Sequence, residues 1–315
     1  MFEGSGFHVY AKLEKCNPGG SIKDRPALNM LIHKVRSGEL QPGRSVVIES
    51  SSGNLAVGLA QVCRYFGLGL ICVVDAKTSQ QSIAILRAMG AAVEVVEVAD
   101  EATGEYLPAR LKRVRELVAA TPHSYWPNQY ANPLNAAAHE QTMREITEAL
   151  GGRVDYLLCA ASSCGTLRGC TDYVHEHQLA TRVVAVDAEG SALFAPPARN
   201  VRLIPGHGAA IQAQLIDSSA VHQVVYVSDL EAVVACRRLV DREAVLAGGS
   251  SGAVLAALEK LAAGIEPGAV CVLVFADGAE RYLDTIYSDS WILRHFGEVS
   301  HMWKAGAQNA HPPSP

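Results

Sequence analysis

This 315-residue sequence lacks the long apolar run, the basic surplus and the paired cysteines that would direct it to a bilayer, a nucleic acid or a thiolate metal site. Its longest apolar stretches are strand-length and are broken by Gly, Asp or Ser, well short of the ~20 residues that a spanning helix needs. The opening MFEGSGFHVY has no basic stretch followed by an apolar one, so it reads as no export signal, and a cytosolic location is expected. Lys and Arg total 27 against 32 Asp and Glu, a net charge of −5 with a pI near 6.1. No face is basic enough to neutralise a phosphate backbone, which speaks against a nucleic-acid partner. The most basic stretch, Arg110 to Arg115, reads as the solvated side of a helix. None of the 8 cysteines forms a C-x-x-C pair, and most lie in apolar runs, as small buried hydrophobes do in a reducing compartment. His175 and His177 point apart on a helix and read as surface rather than as a metal site. No repeat of fixed period is visible, which argues against a solenoid or a propeller.

What is present is a globular composition, 49% hydrophobic and 19% charged, with a strand-then-helix rhythm. The segment HVYAKLE and the runs Val46–Glu49, Leu70–Val74, Val93–Val98, Tyr156–Ala160, Val183–Val186, Val224–Val227 and Val270–Phe275 read as strands. ALNMLIHKV and Leu55–Phe66, Gln80–Met89, Thr103–Ala119, Asn135–Leu150, Leu167–His177, Leu230–Arg242 and Ser251–Ala262 read as helices. Buried strands separated by helices imply an α/β fold with parallel sheets covered on both faces. Gly190 to Ser219 lacks periodicity and reads as a loop region lining a site, and the tail after Lys304 reads as a mobile end.

Four strand-to-helix loops carry the residue types of a binding site. In NPGGSIKDRPA, glycines allow a ligand close to the backbone, and Lys23 stands where a helix begins. A lysine held there and partly desolvated would lose basicity, form a Schiff base and act as a base. ESSSGN, residues 49–54, aims N–H groups and hydroxyls at the positive end of a helix, where a carboxylate fits. The simpler role is capping by Ser52 or Asn54. SSCGT, Ser162 to Thr166, has the donors for a phosphate but lacks the lysine and spacing of a P-loop and is no G-x-G-x-x-G. AGGSSGA, Ala247 to Ala253, precedes another helix, which Ser250 or Ser251 would either cap or leave for a ring nitrogen.

In this order, N-P-G-G-S-I-K-D-R, E-S-S-S-G-N, N-Q-Y-x-N-P, S-S-C-G-T, A-G-G-S-S-G-A and D-G-A-E-R-Y-L resemble the cysteine synthase and cystathionine β-synthase family. The resemblance runs from about Val9 to Trp291. It implies a fold-type II, tryptophan synthase β-like architecture of two parallel-sheet, three-layer domains, pyridoxal 5′-phosphate as cofactor and a homodimer. A large domain of residues 1–15 and 126–298, a small mobile domain of 16–125 and a tail of 299–315 are expected. Residue by residue, Lys23 matches the Schiff-base lysine and Asn54 the contact to the cofactor's 3′-oxygen. Ser162, Ser163, Cys164, Gly165 and Thr166 match the phosphate loop, and Ser250 matches the serine at the pyridine nitrogen. Ser51, Ser52, Gly53 and Gln129 match the cradle for an amino-acid carboxylate. The implied chemistry is β-replacement on an O-activated L-serine through an aminoacrylate, with ping-pong kinetics.

S-I-K-D-R-P-A, S-S-S-G-N-L, N-Q-Y-A-N-P-L-N and E-R-Y-L-D-T-I-Y-S-D-S-W are similar to one branch of that family. Its members join O-phospho-L-serine to L-glutamate for 2,3-diaminopropionate in siderophore biosynthesis. Small amino acids are then the substrates, and Arg110, Tyr130 and Ser163 are candidates to hold glutamate. Two departures stand out. The I-G-x-T-P-L segment usual before the first strand is missing, and S-S-C-G-T replaces the G-T-G-G-T of cysteine synthases. Alternatives are a sulfide-using cysteine synthase, a serine or threonine dehydratase, and a protein of this fold that binds without catalysis. Cystathionine β-synthase fits less well, since no heme segment or regulatory module is present.

Overall fold

In the computed structural model, which describes residues 1–101, 104–194 and 202–304, the β-branched runs form two separate parallel sheets. The strands are β1 (His8–Leu13), β2 (Val46–Ser50), β3 (Gly69–Asp75), β4 (Ala92–Val96), β5 (Ser124–Tyr125), β6 (Tyr156–Ala160), β7 (Arg182–Ala188), β8 (Gln223–Val227) and β9 (Val270–Phe275). The larger sheet has the order β1-β9-β6-β7-β8 and the smaller β4-β3-β2-β5, and every pairing among them is parallel. The helices are α1 (Asp24–Arg36), α2 (Asn54–Phe66), α3 (Gln80–Ala88), α4 (Tyr106–Ala120), α5 (Pro133–Ala137), α6 (Glu140–Ala149), α7 (Gly165–Glu176), α8 (Asp229–Glu243), α9 (Gly249–Leu261) and α10 (Asp289–Phe296). No helix among the described residues is long and apolar enough to cross a membrane.

Side chains on both faces of β6, β7 and β9 are buried, which is why these inner strands are near-continuous Val, Leu and Ala, whereas the edge strand β1 is largely exposed. Leu158, Val184 and Leu273 pack with α8 and α9 on one face, while Leu157, Cys159 and Val272 pack with α6 and α7 on the other. The chain reaches β6, moves outward through β7 and β8, then returns to lay β9 on the opposite side of β6. The strand order therefore reverses between β6 and β9. A crevice forms at such a point beyond the carboxyl ends of the strands. The loops that follow β1, β6 and β9 all open there.

The ends of the elements follow local chemistry. Ser228 and Glu231 form a reciprocal capping box on α8. Asn132 accepts from the Leu134 N–H at 3.0 Å, with Pro133 opening α5. Gly67, at φ 66°, stops α2 in the left-handed region.

The structure departs from the sequence pattern in several places. The helix expected over Asn135–Leu150 is two helices, α5 and α6, with Ala138 and His139 between them. The His139 N–H closes on the Ala136 carbonyl at 2.8 Å, tightening the chain out of α-helical register. Its fully buried ring lies between the hydroxyls of Thr142 (3.3 Å) and Thr166 (3.4 Å). Satisfying that ring overrides helix propensity. The strand expected to reach Val98 ends at Val96, and β5 and α10 have no counterpart in the pattern. Thr103 and the tail after Lys304 lie outside the described residues, as do residues 195–201 of the expected site-lining loop. The rest of Gly190–Ser219 carries no helix or strand. Arg110 is not on a solvated face: its side chain is 14% exposed and pairs with Asp75 at 3.4 Å.

An ionic knot fixes the start of α1. Arg25 donates to Glu14 through Nε (2.8 Å) and Nη2 (3.0 Å), and to Glu145 through Nη1 (2.9 Å) and Nη2 (2.6 Å). Lys12 adds a bond to Glu145 at 2.5 Å. The Glu14 side chain is fully buried, so Arg25 is its counter-charge rather than an ornament of the surface. Arg25→Ala should lower the unfolding free energy by about 3 kcal/mol, read from urea curves at neutral pH. Hydrogen bonding from Arg25 holds the Glu145 carboxyl down at about 2, so its share of the stability exists above the ordinary carboxylate value. The gap between parent and variant should therefore narrow as pH falls from 4.5 toward 2.

Candidate active site

Lys23 ends the loop after β1, immediately before α1. The loop is stitched to the end of β9: the Ile22 N–H donates to the Ala276 carbonyl at 2.8 Å, and Ser21 bridges Asp277 in antiparallel fashion. Asn17 turns back within the loop, donating to the carbonyls of Glu14 (3.0 Å) and Ser21 (3.2 Å). Gly20, at φ 77°, makes the reversal that this stitch requires. Lys23 Nζ is thereby held inward, 3.4 Å from Ser163 Oγ. Burial lowers the pKa of its amine, with the Cys164 thiol and the Asp277 carboxyl pulling weakly the other way.

The cleft around this amine is lined by Lys23, Asn54, Ser162, Ser163, Cys164, Gly165, Thr166 and Ser250, eight of the residues singled out in the sequence. Gly206, Asp277 and Tyr282 line it too, with apolar residues from the ends of β6 and β9. Ser162–Cys164 join β6 to α7, so the free N–H groups of the first turn of α7 and its positive end face the crevice. Cys164 holds φ 62°, an uncommon conformation for a residue with a side chain. Its thiol belongs to the core and burial pushes it up to about 12, so the sulfur is a neutral packing group. A side chain at Gly165 would overlap the Asn135 amide, which donates to Ser163 Oγ at 3.3 Å and to the Gln129 carbonyl at 2.7 Å. Thr166 meets the His139 ring, whose pKa burial holds well below the ordinary histidine value.

The remaining candidates form a second tier. Ser51 is buried and accepts from the Ala56 N–H at 3.2 Å, so it caps α2 from inside the loop; neither Ser52 nor Asn54 does so. Ser250 and Ser251 likewise cap nothing: both lie inside the first turn of α9. Gly53 is exposed and Ser52 half-buried. Gln129 is buried against the same loop through Glu49 at the end of β2. The Glu49 carboxylate accepts from Trp126 Nε1 at 3.1 Å and from the Ser50 N–H at 2.8 Å. Tyr130 is a neighbour of Arg110, whose charge opposes the upward push of burial on the phenol. None of Ser51, Ser52, Gly53, Gln129, Tyr130 and Arg110 lines the cleft around Lys23.

Sequence reasoning missed two residues here. Asp277 stands first in the quoted D-G-A-E-R-Y-L; it is 2% exposed and accepts from Asn54 Nδ2 and Tyr282 Oη, each at 2.8 Å. The signal was an acidic residue directly after a buried strand, which only the fold reveals as site-facing. Arg202 lies in the unpatterned segment, donates to the His207 carbonyl at 3.2 Å, and its charge is felt by Tyr130.

Pyridoxal phosphate requires an amine for its aldehyde, an anion site for its phosphate and hydrogen-bonding groups at its ring. Lys23, the start of α7, and Asn54 with Ser250 are groups of those kinds, and the buried Asn54 Oδ1 has no partner of its own. The residues fit the cofactor.

A family model described as "Pyridoxal-phosphate dependent enzyme" matches residues 1–277. An O-acetylserine dependent cystathionine β-synthase from Helicobacter pylori is 32% identical, with 89% of this chain and 90% of that one covered at a TM-score of 0.81. A hydrogen sulfide-producing enzyme from Fusobacterium nucleatum is 30% identical, covering 88% and 92% at 0.81. An O-ureido-L-serine synthase is 27% identical, covering 91% of both chains at 0.79.

Burial pushes the Glu49 carboxyl up to about 7, above its ordinary 4.5, so the folded state is favoured by protonation at this site. That contribution is complete below pH 4.5 and disappears as pH rises through 7. Glu49→Gln keeps the acceptor and removes the charge. Its stability relative to the parent should rise by up to about 3 kcal/mol between pH 5 and 8 in urea unfolding.

Proposed function

The chain belongs to the pyridoxal-phosphate-dependent enzymes, and from that footing we propose that it catalyses β-replacement on O-phospho-L-serine with L-glutamate as the amine nucleophile. The fold-type II architecture, the cofactor class and transferase-type chemistry come with the family and its solved relatives. The finer reading, a product of the N-(2-amino-2-carboxyethyl)-L-glutamate type destined for 2,3-diaminopropionate, is our own. The carrying observation is a buried, weakly basic Lys23 amine facing Ser163 at the mouth of α7.

When bound, the cofactor supplies an electron sink for the carbanion formed at the substrate's α-carbon. Lys23 would hold it, with the N–H groups at the start of α7 on its phosphate and Ser250 and Asn54 at its ring. Burial favours the neutral form of Lys23 and so leaves a lone pair on Nζ, and the same amine that holds the cofactor can take the α-proton once released. Ser163 Oγ and the Asn135 amide keep that nitrogen and the phosphate loop in one hydrogen-bonded chain. Ser250 is neutral, so it places no negative charge at the ring nitrogen to hold a proton there. Ser51, Ser52, Gly53 and Gln129 form the carboxylate cradle in this reading, with the segment 16–125 closing as the small mobile domain and excluding water from the reacting centre.

Glutamate, with two carboxylates, needs cationic partners that sulfide does not. Support for it comes from Arg110: its side chain is largely buried, its Nε has no hydrogen-bond partner, and Tyr130 beside it also feels Arg202. The homodimer is proposed from β1, an edge strand that leaves Tyr10 (47%) and Leu13 (40%) exposed. A reducing, cytosolic setting accords with eight unbridged cysteines, of which only Cys16 is exposed.

The test is spectroscopic. Purified protein should be yellow, O-phospho-L-serine should shift the visible band, and L-glutamate should restore it far faster than sulfide does. Restoration by sulfide alone would make the protein a cysteine synthase, and release of pyruvate without added nucleophile would make it a dehydratase. Lys23→Ala should abolish the shift. Arg110→Ala should raise the KM for glutamate about tenfold or more while sparing the first half-reaction.

A further inference from the structure

We infer that Asp277 is a positioning residue that locks the side-chain amide of Asn54 with its N–H groups, not its carbonyl, turned to the cofactor. The inference rests on the proposed place of Asn54 at the cofactor's 3′-oxygen and deepens that reading.

The geometry is that of one oxygen accepting two bonds. Asp277 Oδ2 accepts from Asn54 Nδ2 and from Tyr282 Oη, each at 2.8 Å. A carboxylate only accepts, so the amide edge facing it must be the nitrogen. One N–H of Asn54 is spent on Asp277 and the other remains for a ligand; Asn54 Oδ1 and Asp277 Oδ1 have no protein partner. All three side chains line the cleft that holds Lys23. Were the acceptor lost, the amide would be free to turn over and offer a carbonyl oxygen to an oxyanion, which repels it.

The carboxylate itself has little room to move. Its backbone carbonyl accepts from the Gly248 N–H at 3.1 Å, and its backbone bridges Ser21 in the lysine loop. A side chain at Gly248 would overlap Asp277 Oδ1 and crowd Tyr282. The pair also spans the two sheets, since Asn54 opens α2 behind β2 while Asp277 follows β9. Asp277 thus ties the substrate loop to the strand end that anchors Lys23.

A donor at the 3′-oxygen favours the form in which that oxygen is ionised, which absorbs in the visible, over the form in which the oxygen carries the proton, which absorbs in the near ultraviolet. Cofactor-resolved protein should be titrated with pyridoxal phosphate, following both bands. Asp277→Leu should bind the cofactor about tenfold more weakly and lose visible absorbance to the near-ultraviolet band, as expected for one lost charge-assisted hydrogen bond. Asp277→Asn keeps an acceptor oxygen and should restore most of both signals. Asn54→Ala serves as the reference for the underlying reading: if it leaves the band ratio unchanged, Asn54 does not face the 3′-oxygen. If Asn54→Ala moves the ratio and Asp277→Leu does not, only the lock is overturned. An Asp277→Asn protein as impaired as Asp277→Leu would also overturn it, by making charge rather than the acceptor the cause. Should Asp277→Leu fail to fold, Tyr282→Phe decides: loosening the carboxylate should shift the ratio in the same direction, by about twofold, and a parental ratio would refute the lock.

Discussion

In the proposed reading, a lysine that must lose its charge to work is the constraint around which this molecule is arranged. In water an ammonium is far too stable to surrender its proton near neutrality; among the ends of β6 and β9 it is deprived of solvent and its basicity falls. Desolvation is useful only if the nitrogen cannot retreat to the surface. The loop therefore carries stitches out of proportion to its length: the Ile22 bond to Ala276, the Ser21 bridge to Asp277 and the Asn17 reversal. Behind it, Arg25 holds the first turn of α1 to Glu14 and Glu145 with four hydrogen bonds.

The two-sheet arrangement divides the labour. The large sheet contributes the amine, the start of α7 and Ser250, groups of the kinds that the cofactor needs. The smaller sheet contributes the loop after β2, with the amide of Asn54 reaching across to Asp277. Glu49 at the root of that loop is buried with acceptor bonds from Trp126 and Ser50, so the loop pivots on a group whose charge is costly. In the proposed reading, chemistry on one sheet and substrate selection on the other would allow the nucleophile to change without disturbing the amine.

Much of this was legible in the sequence because the relevant signals are local. Val-rich strands, the glycines after β1 and the small polar residues before α2, α7 and α9 each mark a strand-to-helix turn that can face an anion. Lys23 and the seven predicted residues around it came from those turns. What escaped came from long-range contacts. The broken helix at His139 depends on Thr166, a residue of another loop. Asp277 looks like an ordinary acidic residue until β9 is set beside β6. Arg110, in a basic run typical of a wet surface, is largely buried and paired with Asp75. Capping was misjudged for the opposite reason: several serines compete at each helix start, and spacing alone cannot choose among them.

The pairing of β1 with β9 has a consequence for how the protein is made. His8 is the register partner of Val270, so β1 leaves the ribosome before the other strands described and waits for the last of them. The smaller sheet draws only on residues 46–125 and can close on itself while synthesis continues. A nascent chain therefore carries a finished inner unit and an open edge strand with no neighbour, which is the state most exposed to wrong pairing. Because the lysine loop is pinned just beyond the same late strand, the Lys23 amine gains its burial only once that strand arrives.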